Sequence, residues 1–358
     1  MTAFLARRHV LAAVAGGAMA TLPPGGRAAR AAGIDDWNFY RRHFVSADGR
    51  VIDNGNGNVS HTEGQGYGML FAQAFDDRET FDSLFHWTER TLRRRDDALH
   101  AWHYLPDAPN HVPESENATD GDLLIALALT LAGDRWGRQD LTDAACAIYA
   151  ALRQKVVVQV GAYSVLLPGL YGFTFPTHVV LNPSYYIMPS LLAGALLDDA
   201  GVWMRVVRDG RRLLHQGRFG RWNLPPDWLS LPRVGGVPGI AQPWPPRFSY
   251  DAIRVPLYLQ WAGMLDAPMR ASLRRYWGAW GSTAGLPAWV DLKTGEHAPY
   301  GAPPGFHALG VTCGLADPSD FPAMEANTNY YSASLTLLSR LVQDGLAAGV
   351  MRAAASGG

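Results

Sequence analysis

Apolar residues recur at helical spacing through most of this chain, and the period-two alternation of strands is scarce. One long run passes from Leu70, Phe71, Ala74 and Phe75 to Phe85, Trp87 and Leu92 and reads as a helix. Ala118 to Leu131 is the clearest helix: Asn117 or Thr119 can cap it, acids fill its first turn, and Gly133 stops it. The same pattern predicts helices over Asp35 to Phe44, Leu141 to Val157, Tyr185 to Leu197, Val202 to Gln216, Tyr250 to Leu265, Pro268 to Gly281 and Tyr330 to Leu346. Roughly ten to twelve helices fit at about 25–30 residues each with their loops. The pattern predicts an all-α array, and no internal repeat makes it a solenoid. Two connections are long, Trp222 to Phe248 and Gly285 to Asn327. Their tryptophans and tyrosines disfavour disorder, so they read as ordered walls of a cleft.

Composition narrows this. Hydrophobic residues make up 48% of the 358 and charged residues 18%, enough for a sizeable core. Residues 1–31 look like an export signal: Arg7-Arg8, then an apolar stretch from Val10 to Leu22, then Ala29-Arg30-Ala31 as a cleavage site. The paired arginines suggest the twin-arginine route. The expected mature protein is one domain over residues 32–358, periplasmic or secreted, with no membrane span. Without residues 1–31, 27 basic residues face 32 acidic ones, a net of −5. Such a charge does not suit nucleic acid or an anionic membrane, and a neutral ligand is more natural. No CxxC, HExxH or GxSxG occurs, so neither a metal, a cofactor nor a serine nucleophile is signalled. A disulfide between Cys146 and Cys313 cannot be read from sequence.

Chemistry concentrates at three acidic positions. Glu63 lies in His61-Thr62-Glu63-Gly64-Gln65-Gly66-Tyr67-Gly68-Met69, at a helix entrance crowded with glycine. Glycine costs about 1 kcal/mol against alanine inside a helix, so close approach of a ligand or another backbone is expected there. Ser60 and Glu63 also fit a capping box, in which Glu63 merely closes the helix start. Asp120 and Asp122 are two apart in Ala118-Thr119-Asp120-Gly121-Asp122, so they face different ways and can differ in role. Asp251 precedes Arg254 by three residues, which is salt-bridge spacing. Separated carboxylates and a wealth of tryptophan and tyrosine suit hydrolysis of a sugar polymer, whose rings stack on flat aromatic faces. Trp102, Tyr185, Tyr186, Trp222, Trp228 and Trp244 are candidates for stacking, with core packing the alternative for each.

Thr62-Glu63-Gly64-Gln65-Gly66-Tyr67-Gly68-Met69, Ala118-Thr119-Asp120-Gly121-Asp122, Asn182-Pro183-Ser184-Tyr185-Tyr186 and Tyr250-Asp251-Ala252-Ile253-Arg254, in that order, resemble glycoside hydrolase family 8. Gly49-Arg50-Val51-Ile52-Asp53 resembles the periplasmic branch associated with bacterial cellulose synthase. The resemblance implies an (α/α)6 barrel with a cleft across one end, and inverting hydrolysis of β-1,4-glucan. It implies Glu63 as proton donor, Asp251 as base and Asp120 as a supporting acid at the cleaved sugar. It further implies Trp102, Tyr186, Tyr250 and Arg254 as subsite residues, and a functional link to cellulose synthesis. The mechanism so expected has a protonated Glu63, desolvated by apolar neighbours, and an ionised Asp251 about 6.5–9.5 Å away. A non-catalytic glucan-binding protein is the rival reading. Xylan, chitosan or mixed-linkage glucan is the rival substrate.

Overall fold

The computed structural model describes residues 24–281 and 285–345. Of the expected export segment, residues 1–31, the first 23 lie outside the described residues, and the rest belongs to the first helix. Eleven α-helices follow in order among the described residues: α1 (Pro24–Phe44), α2 (Thr62–Ala74), α3 (Arg78–Leu92), α4 (Thr119–Trp136), α5 (Gln139–Lys155), α6 (Met188–Leu197), α7 (Ala200–Gln216), α8 (Arg254–Trp261), α9 (Ala267–Gly278), α10 (Pro304–Thr312) and α11 (Tyr330–Gln343).

Their burial separates them into two sets. Helices α2, α4, α6, α8, α10 and α11 are buried along most of their length. A helix hydrophobic on nearly every side belongs in a core. These six close on one another: α2 packs on α4, α4 on α6, α6 on α8, α8 on α10 and α11, and α11 back on α2. Helices α3, α5 and α7 lean on α2, α4 and α6 from outside. They are amphipathic. In α7, Trp203, Val206, Val207, Leu213 and Leu214 face in, while Arg205, Arg208, Arg211 and Arg212 face water. The expected all-α array is therefore a ring of inner helices with outer helices against it.

Short antiparallel strands fill the connections. His178–Leu181, Leu229–Pro232 and Gly239–Ile240 form a three-stranded sheet, with Leu229–Pro232 in the middle. Arg247–Phe248 pairs with Val290–Asp291, so the two long connections meet and order each other.

Several elements differ from the sequence reading. The run from Leu70 to Leu92 is two antiparallel helices. Asp76 takes a left-handed conformation at φ 61, and the Asp77 carboxylate accepts the Thr80 N–H at 3.2 Å to start α3. Gly133 does not end α4; Gly137 does, at φ 65. Gly133 is small because α5 crosses there: a Cβ would lie 2.4 Å from Thr142 Oγ1. Neither Asn117 nor Thr119 caps α4, whose Ncap is Ala118. The connection from Gly285 to Asn327 contains an inner-ring helix, α10. Its glycines hide it from propensity, and both serve packing: a Cβ on Gly305 would lie 2.7 Å from the Ser332 carbonyl, and one on Gly310 2.6 Å from Trp277 Nε1. Cys146 and Cys313 are not joined to each other, and Cys146 Sγ donates to the Leu197 carbonyl at 3.6 Å.

Candidate active site

Glu63 sits in the first turn of α2. The capping box does not form, because His61 is the Ncap and its Nδ1 accepts the Gly64 N–H at 3.1 Å. Ser60 instead donates to the Val51 carbonyl. Glu63 is thereby free for other partners. Its Oε1 accepts the Tyr67 hydroxyl at 3.2 Å and pairs with Arg254 Nη1. Tyr67 is one helical turn further on, and its hydroxyl lies 2.6 Å from that of Tyr258 on α8.

The glycines around Glu63 admit neighbouring parts of the protein rather than ligand. A Cβ on Gly66 would stand 2.5 Å from Leu124 Cβ and 3.0 Å from Ile125 N. One on Gly121 would stand 2.0 Å from Thr62 Oγ1 and 2.8 Å from Glu63 N. Helices α2 and α4 thus cross where neither has a side chain, and that crossing sets Glu63 beside Asp120.

Asp120 and Asp122 do divide their labour. Asp122 Oδ1 accepts from His100 N and lies 2.9 Å from His100 Nδ1, and its Oδ2 accepts from Asn117 Nδ2 at 3.0 Å. Asp120 faces the cleft: its Oδ1 accepts the Gly121 N–H at 2.9 Å and its Oδ2 lies 3.8 Å from Arg254 Nη1. Burial, with the Asp122 charge behind it, lifts the Asp120 carboxyl to about 7, against the opposing hydrogen bond from Gly121. Tyr185 hydrogen-bonds Asp120 from the 3₁₀ turn Pro183–Tyr185.

Asp251 lies in the turn before α8. Its Oδ1 accepts from Arg254 Nη2 at 2.6 Å. Burial raises its carboxyl well above the usual range, with the Asp227 and Asp120 charges adding to it and an Asn182 hydrogen bond opposing. Arg254 is 3% exposed and ties the three acids together. Nη1 serves Glu63 and Asp120, while Nη2 serves Asp251 and, at 3.1 Å, Ser184 Oγ. Arg254 was expected at a sugar subsite; here it is the shared counter-ion of the acids. One guanidinium cannot neutralise Glu63, Asp120, Asp227 and Asp251 at once, so some of them retain protons at neutral pH.

The expected aromatic residues separate on inspection. Trp102 is 37% exposed, and its carbonyl accepts the Thr62 N–H at 2.9 Å, which places it beside Glu63. Tyr250 is 40% exposed beside Asp251, edge-on to Phe306 and Tyr331. Trp228 stacks between Phe173 and Trp244 and touches Tyr185, which extends an aromatic wall away from Asp120. Tyr186 goes to the core instead. It is 3% exposed, its hydroxyl accepts the Leu166 N–H at 3.3 Å, and its ring covers Gly210. The 3₁₀ turn gives the cleft position to Tyr185. Trp222 is also core, packed on Tyr276 and Trp280. Sequence reasoning missed Asp227, Tyr258 and Asn182 as neighbours of the acids. Each lies on a different element from the acid it approaches, and no spacing rule connects them.

Two carboxylates on opposite nitrogens of one buried guanidinium, in an aromatic-walled opening over a helical ring, suit a glycosidase of the helical-barrel class. The chain belongs to glycosyl hydrolases family 8, to which residues 10–345 match. It is 48% identical over 302 residues to a probable endoglucanase of Novacetimonas hansenii, covering 84% of this chain and 88% of that one. It is 42% identical over 276 residues to an endoglucanase of Cellulomonas uda, covering 76% of this chain and 75% of that one. Among solved structures, the endo-beta-1,4-glucanase CMCax from Acetobacter xylinum superposes with a TM-score of 0.83 at 47% identity, covering 87% of this chain and 98% of that one. The helix ring is accordingly the (α/α)6 barrel of these enzymes.

Proposed function

We propose that this protein is an endo-acting β-1,4-glucanase that inverts the anomeric carbon, with Glu63 as proton donor and Asp251 as base. The convergence of Glu63, Asp120 and Asp251 on Arg254 carries this reading. The names of the relatives supply the substrate class. Glu63 protonates the leaving oxygen, and Asp251 takes a proton from water on the opposite face of the sugar. Asp120, hydrogen-bonded to Tyr185, holds the sugar at the cleaved bond.

The partners of Glu63 are Tyr67 and Arg254 rather than the apolar neighbours the sequence suggested. An inverting turnover removes a proton from Glu63 and leaves one on Asp251. A proton must return to Glu63 and leave Asp251 before the next sugar is cleaved.

Hydrolysis of carboxymethylcellulose, followed by a reducing-sugar assay, tests the activity. Proton NMR of fresh cello-oligomer product tests the stereochemistry: the α-anomer should appear first, and a β-anomer would remove Asp251 from the role of base. Export, and a link to cellulose synthesis, complete the proposal. Arg7-Arg8 with the apolar stretch after it supports the first, and Gly49 to Asp53 supports the second. Deleting the gene in a cellulose-producing host, with measurement of polymer yield and crystallinity, tests that link.

A further inference from the structure

Asp227 stands in Pro225-Pro226-Asp227-Trp228, within the connection between α7 and α8, and is 8% exposed. Its Oδ1 accepts the N–H of Ser249 at 3.0 Å and of Ala252 at 2.8 Å. Its Oδ2 accepts the Ser249 hydroxyl, and its own N–H donates to the Arg247 carbonyl at 2.7 Å. One side chain therefore gathers the whole turn on which Asp251 rides.

The Asp227 carboxylate takes four donors, the N–H groups of Ser249, Asp251 and Ala252 and the Ser249 hydroxyl, while burial raises its carboxyl above the usual range. No cation pairs with the Asp227 carboxylate among the described residues, because Arg254 faces Glu63, Asp120 and Asp251. When Asp227 is ionised, its charge has no cation beside it and bears directly on the neighbouring acid Asp251.

We propose that Asp227 is a positioning residue for the proton acceptor. It fixes the Ser249–Ala252 turn so that Asp251 faces the cleft, and it places behind Asp251 a negative charge that draws a proton from the attacking water. This rests on the reading of Asp251 as base. The groups that face Asp251 are Arg254 from α8, Asp120 from α4, Tyr185 and Asn182 from around the 3₁₀ turn, Tyr331 from α11, and Asp227. Only Arg254 is a cation. Burial raises the Asp251 carboxyl first, and Asp227 adds more to the rise than Asp120 does. Removing the Asp227 charge therefore lowers it. The form of Asp251 able to accept a proton then persists to lower pH, but as a weaker base.

The test compares kcat/KM against pH for the wild type, Asp227→Asn, Asp227→Ala and Asp251→Asn, with Tm recorded for each. Asp227→Asn should fold with a near-normal Tm. Its acid limb should move down by about one pH unit, with a several-fold lower plateau and little change in KM. Asp227→Ala should show the same move with a lower Tm, and if it does not fold, the asparagine variant decides. An acid limb that stays in place in Asp227→Asn overturns the inference and leaves Asp227 as a turn cap. If Asp251→Asn retains turnover, the base assignment falls and this inference falls with it. If Asp251→Asn is inactive while the Asp227→Asn limb is unmoved, only the role of Asp227 is lost.

Discussion

Arg254 is the residue on which the electrostatics of the cleft turn. Its two terminal nitrogens reach acids from three different helical regions, and its planar fork makes this possible where a lysine ammonium would not. Glu63 was visible in the sequence because glycines surround it, yet the glycines turn out to serve packing: Gly66 the α2–α4 crossing, Gly64 the Tyr330 ring, and Gly68 the side chains of Val51 and Leu84. Its chemical role is testable by itself. Glu63→Gln keeps the size of the side chain and an acceptor for Tyr67, but cannot donate an acidic proton. Its kcat should fall by about 10²–10⁴-fold while binding of a cello-oligomer, measured by calorimetry, stays near wild type. Near-normal turnover would exclude Glu63 as donor. The exchange of Tyr186 for Tyr185 shows how fine the residue scale is. Two adjacent tyrosines look alike in sequence, and a three-residue turn sends one to the acids and the other under Gly210.

At the scale of elements, the active site is a consequence of how closely two helices approach. Gly66 on α2 and Gly121 on α4 leave no room for a methyl group at the crossing. Gly66→Ala should gain up to about 1 kcal/mol in helix propensity but lose about 1–3 kcal/mol to overpacking against Leu124. The net expectation is a Tm lowered by several degrees. Activity should fall as well, because displacement of Glu63 from Asp120 by a fraction of an ångström is felt in the rate. Gly278→Ala is the control: it ends α9, is exposed, and meets nothing within 4 Å, so Tm and activity should hold or rise slightly. Equal losses in both variants would refute the close-crossing account. Most inner and outer helices were legible because their apolar periodicity is strong. Helix α10 was not, since Pro304, Gly305 and Gly310 weaken its local signal and its stability comes from α11 and Trp277.

At the scale of the whole molecule, an ion triad around a buried histidine ties the outer layer to the inner ring. His100 is fully buried, with Asp122 of α4 on Nδ1 at 2.9 Å and Glu89 of α3 on Nε2 at 3.0 Å. Burial alone would push the imidazole down, but the hydrogen bonds to Asp122 and Glu89 outweigh it and raise it from 6.5 to about 9. The folded value thus lies above the unfolded one. The stabilisation, on the order of 3 kcal/mol, is fully present below about pH 6.5 and is lost as pH rises through about 9. Thermal melts between pH 7 and pH 10 should therefore show Tm falling most steeply near pH 9. His100→Phe should be less stable at pH 7, because Asp122 is left buried without its partner, and should lack that alkaline step. A wild-type Tm flat across this range would show that His100 is neutral in the fold.

The sequence by itself determined the kind of architecture, because inner helices must be apolar all round and outer ones on a single face. It also displayed the acids, since charged groups at glycine-rich helix entrances and at ion-pair spacing stand out locally. Only the tertiary structure decided which carboxylates share Arg254, that Asp227 stands behind Asp251, and which tyrosine reaches the cleft. Those facts join positions as far apart in the chain as Glu63 and Arg254. Local patterns carry no record of such distant contacts. They arise when the ring closes and its buried charges must find partners.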